Sequence, residues 1–156
     1  ASLWTMHVFH PGWQCHTSKQ CVNIEISGSN LQVDSDTASA VGLLRELAEQ
    51  YAPDGQSFIA VPFWPGAYPL LGRKPPMWEI YALFPRSQAF EQAEIERIRA
   101  ARPAFALVID LPLDGRDELR FRKTHALIHQ YILDHFERLS DSPNPAYQIY
   151  RAKENM

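Results

Sequence analysis

The chain is short of several things, and each shortage narrows what it can be. It has no long apolar run: the hydrophobic stretches are interrupted by Pro62, Pro65 and Pro69 or by Asp110. None reaches the roughly 18–20 residues of a membrane helix, so these residues are expected to be soluble. It has no basic surplus: the formal net charge is −3 and the pI about 6.1. A nucleic-acid partner would call for a basic face, and none is expected. Its 7 glycines are scattered, with no G-x-G-x-x-G, P-loop or G-x-S-x-G elbow, so nucleotide cradling and α/β-hydrolase chemistry lack their usual marks. No initiator Met is present, and residues 1–13 lack the apolar centre of a signal peptide. The expectation is an excised or processed piece, with any membrane segment upstream.

Cysteine is scarce as well. Cys15 and Cys21 stand six positions apart. They are expected to form a disulfide, which would imply an oxidising compartment. Free thiols are one alternative. The other is a metal site with His7, His10 and His16, but H-x-x-H-x4-C-H-x4-C matches no standard zinc spacing. No metal and no cofactor is expected.

What is present suffices for one ordinary domain: 156 residues, 46% hydrophobic and 12% aromatic. Residues 1–20 read as an irregular arm packed by Trp4, Phe9 and Trp13. Val22 to Ile26 and Leu31 to Val33 alternate around the turn residues 27–30, a β-hairpin. Asp34, Ser35 and Asp36 can cap a helix whose apolar positions run from Ala38 to Tyr51. Pro53 and Asp54-Gly55 close it. Phe58 to Val61 reads as a buried strand.

Ser87 can cap a helix to Arg102 that turns Phe90, Ile95 and Ile98 inward and Glu91, Glu94, Glu96, Arg97 and Arg99 mostly outward. Ala104 to Leu111 is a continuous apolar run, as in a strand covered on both faces. Helical spacing then extends from Phe121 to Leu139. Ala146 to Arg151 alternates as an edge strand. The fold class expected is α/β, a three-layer Rossmann-like sandwich. Its sheet would be mixed, mostly parallel, with an N-terminal β-hairpin. The domain covers residues 21–152, and 153–156 are a tail.

The segment from Ser57 to Pro85 is the most distinctive. After its strand it holds Pro62, Pro65, Pro69, Pro75 and Pro76, the aromatics Trp64, Tyr68 and Trp78, and the pair Arg73-Lys74. Ligands of open α/β sheets gather beyond the carboxyl ends of strands. Arg73 and Lys74 are therefore candidates for a phosphate or lipid headgroup, and Trp64, Tyr68 and Trp78 for a sugar face. The competing and preferred reading is structural: Tyr68 and Trp78 pack the loop onto the sheet while Arg73 caps helix carbonyls. His125 and His129 share a helix face, but HALIH lacks the Glu of the zinc-protease helix and no third ligand is evident. Asp110 ends the apolar run where catalytic carboxylates often sit; it equally suits a cap or turn.

Several of these residues form a pattern. Pro53-Asp54-Gly55 precedes a strand ending in Pro62. A run of the form P-x-x-P-x-x-Y-x-L-x-x-R-x-x-P follows as Pro62, Pro65, Tyr68, Leu70, Arg73 and Pro76. Then come Ala101-Arg102-Pro103, Tyr131-Ile132 and a last strand closing on Arg151. Over roughly residues 20 to 152 the chain resembles the soluble C-terminal domain of bacterial multi-pass membrane glycosyltransferases. These are the protein-mannosyltransferase-like proteins that use polyprenyl-phosphate sugars.

The resemblance implies an extracytoplasmic domain tethered at the inner membrane, on its periplasmic face. Its partners would be the membrane-embedded remainder of the parent protein and a lipid-linked sugar or glycan. The family's catalytic acids lie in its membrane part, so no catalytic residue is assigned here. The expected function is non-catalytic, assisting the placement of acceptor or lipid-linked sugar. The alternatives are a small independent α/β hydrolase- or transferase-like enzyme using Asp110 and a histidine, or a protein-interaction module.

Overall fold

The computed structural model describes Cys15, residues 21–140, Ser142 and residues 145–153. The chain divides into two compact units, Ala1–Glu46 and Leu47–Met156. In the first, β1 (Cys21–Ile26) and β2 (Ser29–Asp34) form an antiparallel hairpin with Ile26 opposite Ser29. Ser27 and Gly28 make the two-residue turn with φ of 50° and 80°, the positive-φ geometry that hairpin loops of this length favour. Cys15 and Cys21 are disulfide-bonded with their Cα atoms 5.4 Å apart. The expected arm of Trp4, Phe9 and Trp13, and His7, His10 and His16 of the metal alternative, lie outside the described residues.

Helix α1 (Ser35–Tyr51) starts at once after β2. Asp34 caps it: its carboxylate accepts from the Thr37 amide at 2.8 Å and from the Thr37 hydroxyl at 2.7 Å. Those bonds hold the Asp34 carboxyl below its usual value, because each favours the ionised form.

The second unit is a four-stranded mixed sheet in the order β3-β4-β6-β5. The strands are β3 (Ile59–Val61), β4 (Phe105–Ile109), β5 (Phe136–Arg138) and β6 (Tyr147–Ala152). Among the described residues only β3 and β4 pair in parallel; β6 runs antiparallel to both of its neighbours. The sheet is therefore α/β and mixed but not mostly parallel. The expectation of parallel pairing rested on counting one crossover, and β6 returns between β4 and β5.

The pleat divides the side chains by face. One face carries Ile59, Val61, Ala106, Val108 and Tyr150. They join a core with Ile98 of α3 (Gln88–Ala101), Phe121 of α4 (Phe121–Thr124), and Ile128, Tyr131 and Ile132 of α5 (Ala126–His135). On the other face Phe58 stacks between Phe105, at 5.0 Å, and Tyr68 of the short α2 (Ala67–Leu70), at 4.9 Å.

The helix expected from Phe121 to Leu139 is broken twice. His125, at φ −130° and ψ 56°, separates α4 from α5. At Phe136 the backbone turns extended, and β5 begins with no intervening loop. Phe136 is buried, as an apolar position of a continued helix would be, so apolar spacing alone could not tell the two apart.

Candidate functional site

β3 leaves the sheet through the cis Val61–Pro62 bond and enters the segment 62–86. That segment is held from below at several points. The Ala82 amide donates to the Pro62 carbonyl at 2.7 Å, drawing its two ends together. Met77 and Ala82 are buried in the core. The Trp78 and Glu79 amides both donate to Glu94 Oε2, at 2.6 and 3.1 Å. Glu94 itself is fully buried, with Arg97 on its other oxygen.

Glu79 is the second anchor. Its Oε1 accepts from Arg86 Nε at 2.7 Å, and its Oε2 lies 3.1 Å from His125 Nε2. A carboxylate only accepts, so Nε2 of that histidine carries the hydrogen. Thr124 Oγ1 stands 2.9 Å from His125 Nδ1, and the ring stacks on Phe121. His125 is 0% exposed. Its position at the α4–α5 break points the ring inward, toward the segment it secures. Thr, His and Glu thus meet in a line, but they are closed to solvent and serve as a strut.

Above this base the segment shows apolar rings to solvent. Trp78 is 80% exposed, Phe84 58% and Tyr81 54%, with Phe63 also exposed. Trp78 stacks on no other ring among the described residues. The structural reading thus fails at Trp78, because Glu94 holds its backbone and leaves the side chain outward.

That reading holds for Tyr68 and Arg73. The Ala60 amide donates to the buried Tyr68 hydroxyl at 3.1 Å. Burial pushes that phenol up to about 12. Because β3 is an edge strand, Tyr68 satisfies a backbone donor that the sheet leaves open. Arg73 Nη2 donates to the Ala52 carbonyl at 3.2 Å, just past the end of α1. Lys74 is exposed. Trp64 is half-buried and lies 6.4 Å from the Tyr147 ring. The candidate ligand residues are therefore not gathered at one point: Tyr68 and Arg73 face inward, Trp64 lies against β6, and Trp78 faces out.

Asp110, at the carboxyl end of β4, belongs to a different cluster. Arg120 Nη1 donates to its backbone carbonyl at 2.6 Å and lies 3.3 Å from Oδ1. Gln148 Nε2 donates to Oδ2 at 3.1 Å, and the Tyr150 hydroxyl donates to Gln148 Oε1 at 2.8 Å. No hydrogen bond joins Asp110 to His125 or His129 among the described residues. His129 is half-buried, and desolvation lowers its pKa. Its ring meets Phe121 edge-on. No group of three or more His, Cys, Asp or Glu among the described residues is placed to hold a metal, and no helix among them is long and apolar enough to cross a membrane.

The buried carboxylates Glu79, Glu91 and Glu94 went unseen in the sequence. The only available signal was spacing: Glu91, Glu94 and Ile98 stand at i, i+3 and i+7, one stripe of α3. No family model matches the chain, and neither the curated proteins nor the solved structures include a significant match.

Proposed function

We propose that this chain is a non-catalytic extracytoplasmic domain of a membrane glycosyltransferase-like protein. Segment 62–86 would be the surface it turns to the bilayer and to the membrane-embedded part, helping to place acceptor or lipid-linked sugar. A three-layer, Rossmann-like sandwich is part of the same proposal. One observation carries the reading: exposed Trp78, Tyr81 and Phe84 stand on a base fixed by the buried Glu94 and Glu79. Rings with a polar edge favour the membrane–water interface. A surface held rigid before binding loses less entropy on binding. The Cys15–Cys21 bond is compatible with an oxidising compartment.

The independent-enzyme alternative has less support. It needs Asp110 paired with a histidine, and Asp110 instead engages Arg120 and Gln148.

The test is co-sedimentation of the purified chain with phosphatidylcholine vesicles, with and without polyprenyl phosphate. Binding is expected, and the Trp78→Ala/Phe84→Ala variant should bind at least about tenfold more weakly, or about 1.4 kcal/mol. Failure of the parent chain to sediment, or equal sedimentation of the variant, would overturn the reading.

A further inference from the structure

Strands β3, β4 and β5 all point the same way, since β4 and β5 both lie antiparallel to β6. Their carboxyl ends share one edge of the sheet, and β6 begins there at Tyr147. This is the edge at which open α/β sheets collect ligands. A cleft of about 500 Å³ opens there, lined by Arg138, Ser140, Tyr147 and Gln148 among others. Its size falls within the roughly 300–1,000 Å³ of small-molecule sites.

Tyr147 and Gln148 are neighbours on a strand, so the pleat sends them to opposite faces. A cleft lined by both must lie at the strand's end, not over either face. Each also reaches beyond the cleft. Tyr147 lies against Trp64 with the rings 15° from parallel, and Gln148 is locked between Asp110 and the Tyr150 hydroxyl. Arg138 and the Tyr147 hydroxyl make no hydrogen bond to the described residues.

We propose that this cleft binds a pyranose ring of a glycan. A pyranose has an apolar C–H face and a rim of hydroxyls. It is matched by an aromatic surface bordered by planar polar groups in fixed orientations. Tyr147, backed by Trp64 outside the cleft, supplies the first. Gln148, pre-set by Asp110, supplies the second together with Arg138. An anion would use Arg138 but would leave the Tyr147 ring without a role. The inference shares the glycan with the preceding reading, but its site and its test are separate from the exposed rings of segment 62–86.

The experiment titrates the ¹⁵N-labelled chain with methyl hexopyranosides and, in a second arm, with inorganic phosphate, following amide shifts. Binding with a Kd of about 1–10 mM is expected for at least one glycoside, with shifts centred on Tyr147, Gln148 and Asp110. Tyr147→Ala and Arg138→Ala should each weaken it by at least about fivefold, or about 1 kcal/mol. Tyr147→Phe should keep most of the affinity, and Glu96→Ala, an exposed change on α3, should leave it unchanged. Dispersed amide spectra establish that each variant is folded, and exposed Arg138 can be changed without touching the core. Shifts with phosphate alone, shifts centred on Trp78, no shift with any glycoside, or unchanged affinity in Arg138→Ala would each overturn the proposal.

Discussion

Buried carboxylates decide the local structure of this protein residue by residue. Glu94 is enclosed in the core, yet both of its oxygens are used: one by the Trp78 and Glu79 amides, the other by Arg97. A buried charge is tolerated only when it is paired and hydrogen-bonded. Removing it would strand two backbone donors, while the half-exposed Arg97 would turn to solvent. Glu94→Ala is therefore expected to cost about 2–4 kcal/mol in urea unfolding. The same variant should speed hydrogen exchange at the Trp78 and Glu79 amides well before global unfolding. Unchanged protection at those amides would show that Glu94 does not hold the segment. From the sequence, Glu94 reads as one more charge on a solvated helix face. A carboxylate that accepts from a loop across the core leaves no local mark, because its partners lie 15 and 16 positions away.

Elements here are held at their ends by residues of other elements. Helix α5 follows His125, whose side chain does not cap it. Glu91 of α3 does so instead, accepting from the Leu127 amide at 2.9 Å and the Ile128 amide at 3.2 Å. It satisfies two of the open donors of the first turn and places negative charge at the positive end of the helix. Glu91→Ala should cost about 1–2 kcal/mol, as loss of a helix cap does. Glu96→Ala, an exposed change on the same helix, should stay within about 0.5 kcal/mol. Equal urea midpoints for the two variants would refute the capping role.

At this scale the sequence was most readable where hydrophobic period and turn chemistry agree. The hairpin, α1 with its Asp34 cap, α3 with its Ser87 cap and β4 all followed from pattern; β6 followed as a strand but not in its place, since it was expected at an edge and lies between β4 and β5. It was least readable from Phe121 to Leu139. There α4, α5 and β5 share one apolar rhythm, and the breaks at His125 and Phe136 are imposed by tertiary bonds. The exposure of Trp78 was hidden for a similar reason: an aromatic in a proline-rich loop normally packs down, and only the two amides on Glu94 show that this one is turned out.

Taken as a whole, the molecule should be most stable over a defined pH window. On the acid side the relevant group is His129, whose pKa is lowered by burial in the fold. The unfolded chain then binds more protons than the folded one near the ordinary histidine value, about 6.5. Its contribution is complete above that value and is lost as pH falls. On the alkaline side the largest effect is at Tyr68, raised from 10.0 to about 12. Tyr131 and Tyr150 are raised too, also chiefly by burial. A raised phenol means that the unfolded chain ionises first. Stability is therefore unaffected below about pH 10 and falls between about 10 and 12, by up to about 3 kcal/mol for a two-unit shift.

Urea midpoints measured from pH 5 to 11.5 should accordingly form a plateau between about pH 7 and 10, with losses on both sides. His129→Gln should flatten the acid limb. Tyr68→Phe should flatten much of the alkaline limb while lowering the plateau by about 1–3 kcal/mol, because the Ala60 amide loses its acceptor. An alkaline limb as steep in Tyr68→Phe as in the parent chain would place that titration elsewhere, and would remove Tyr68 as the group that ties the edge of the sheet to the loop above it.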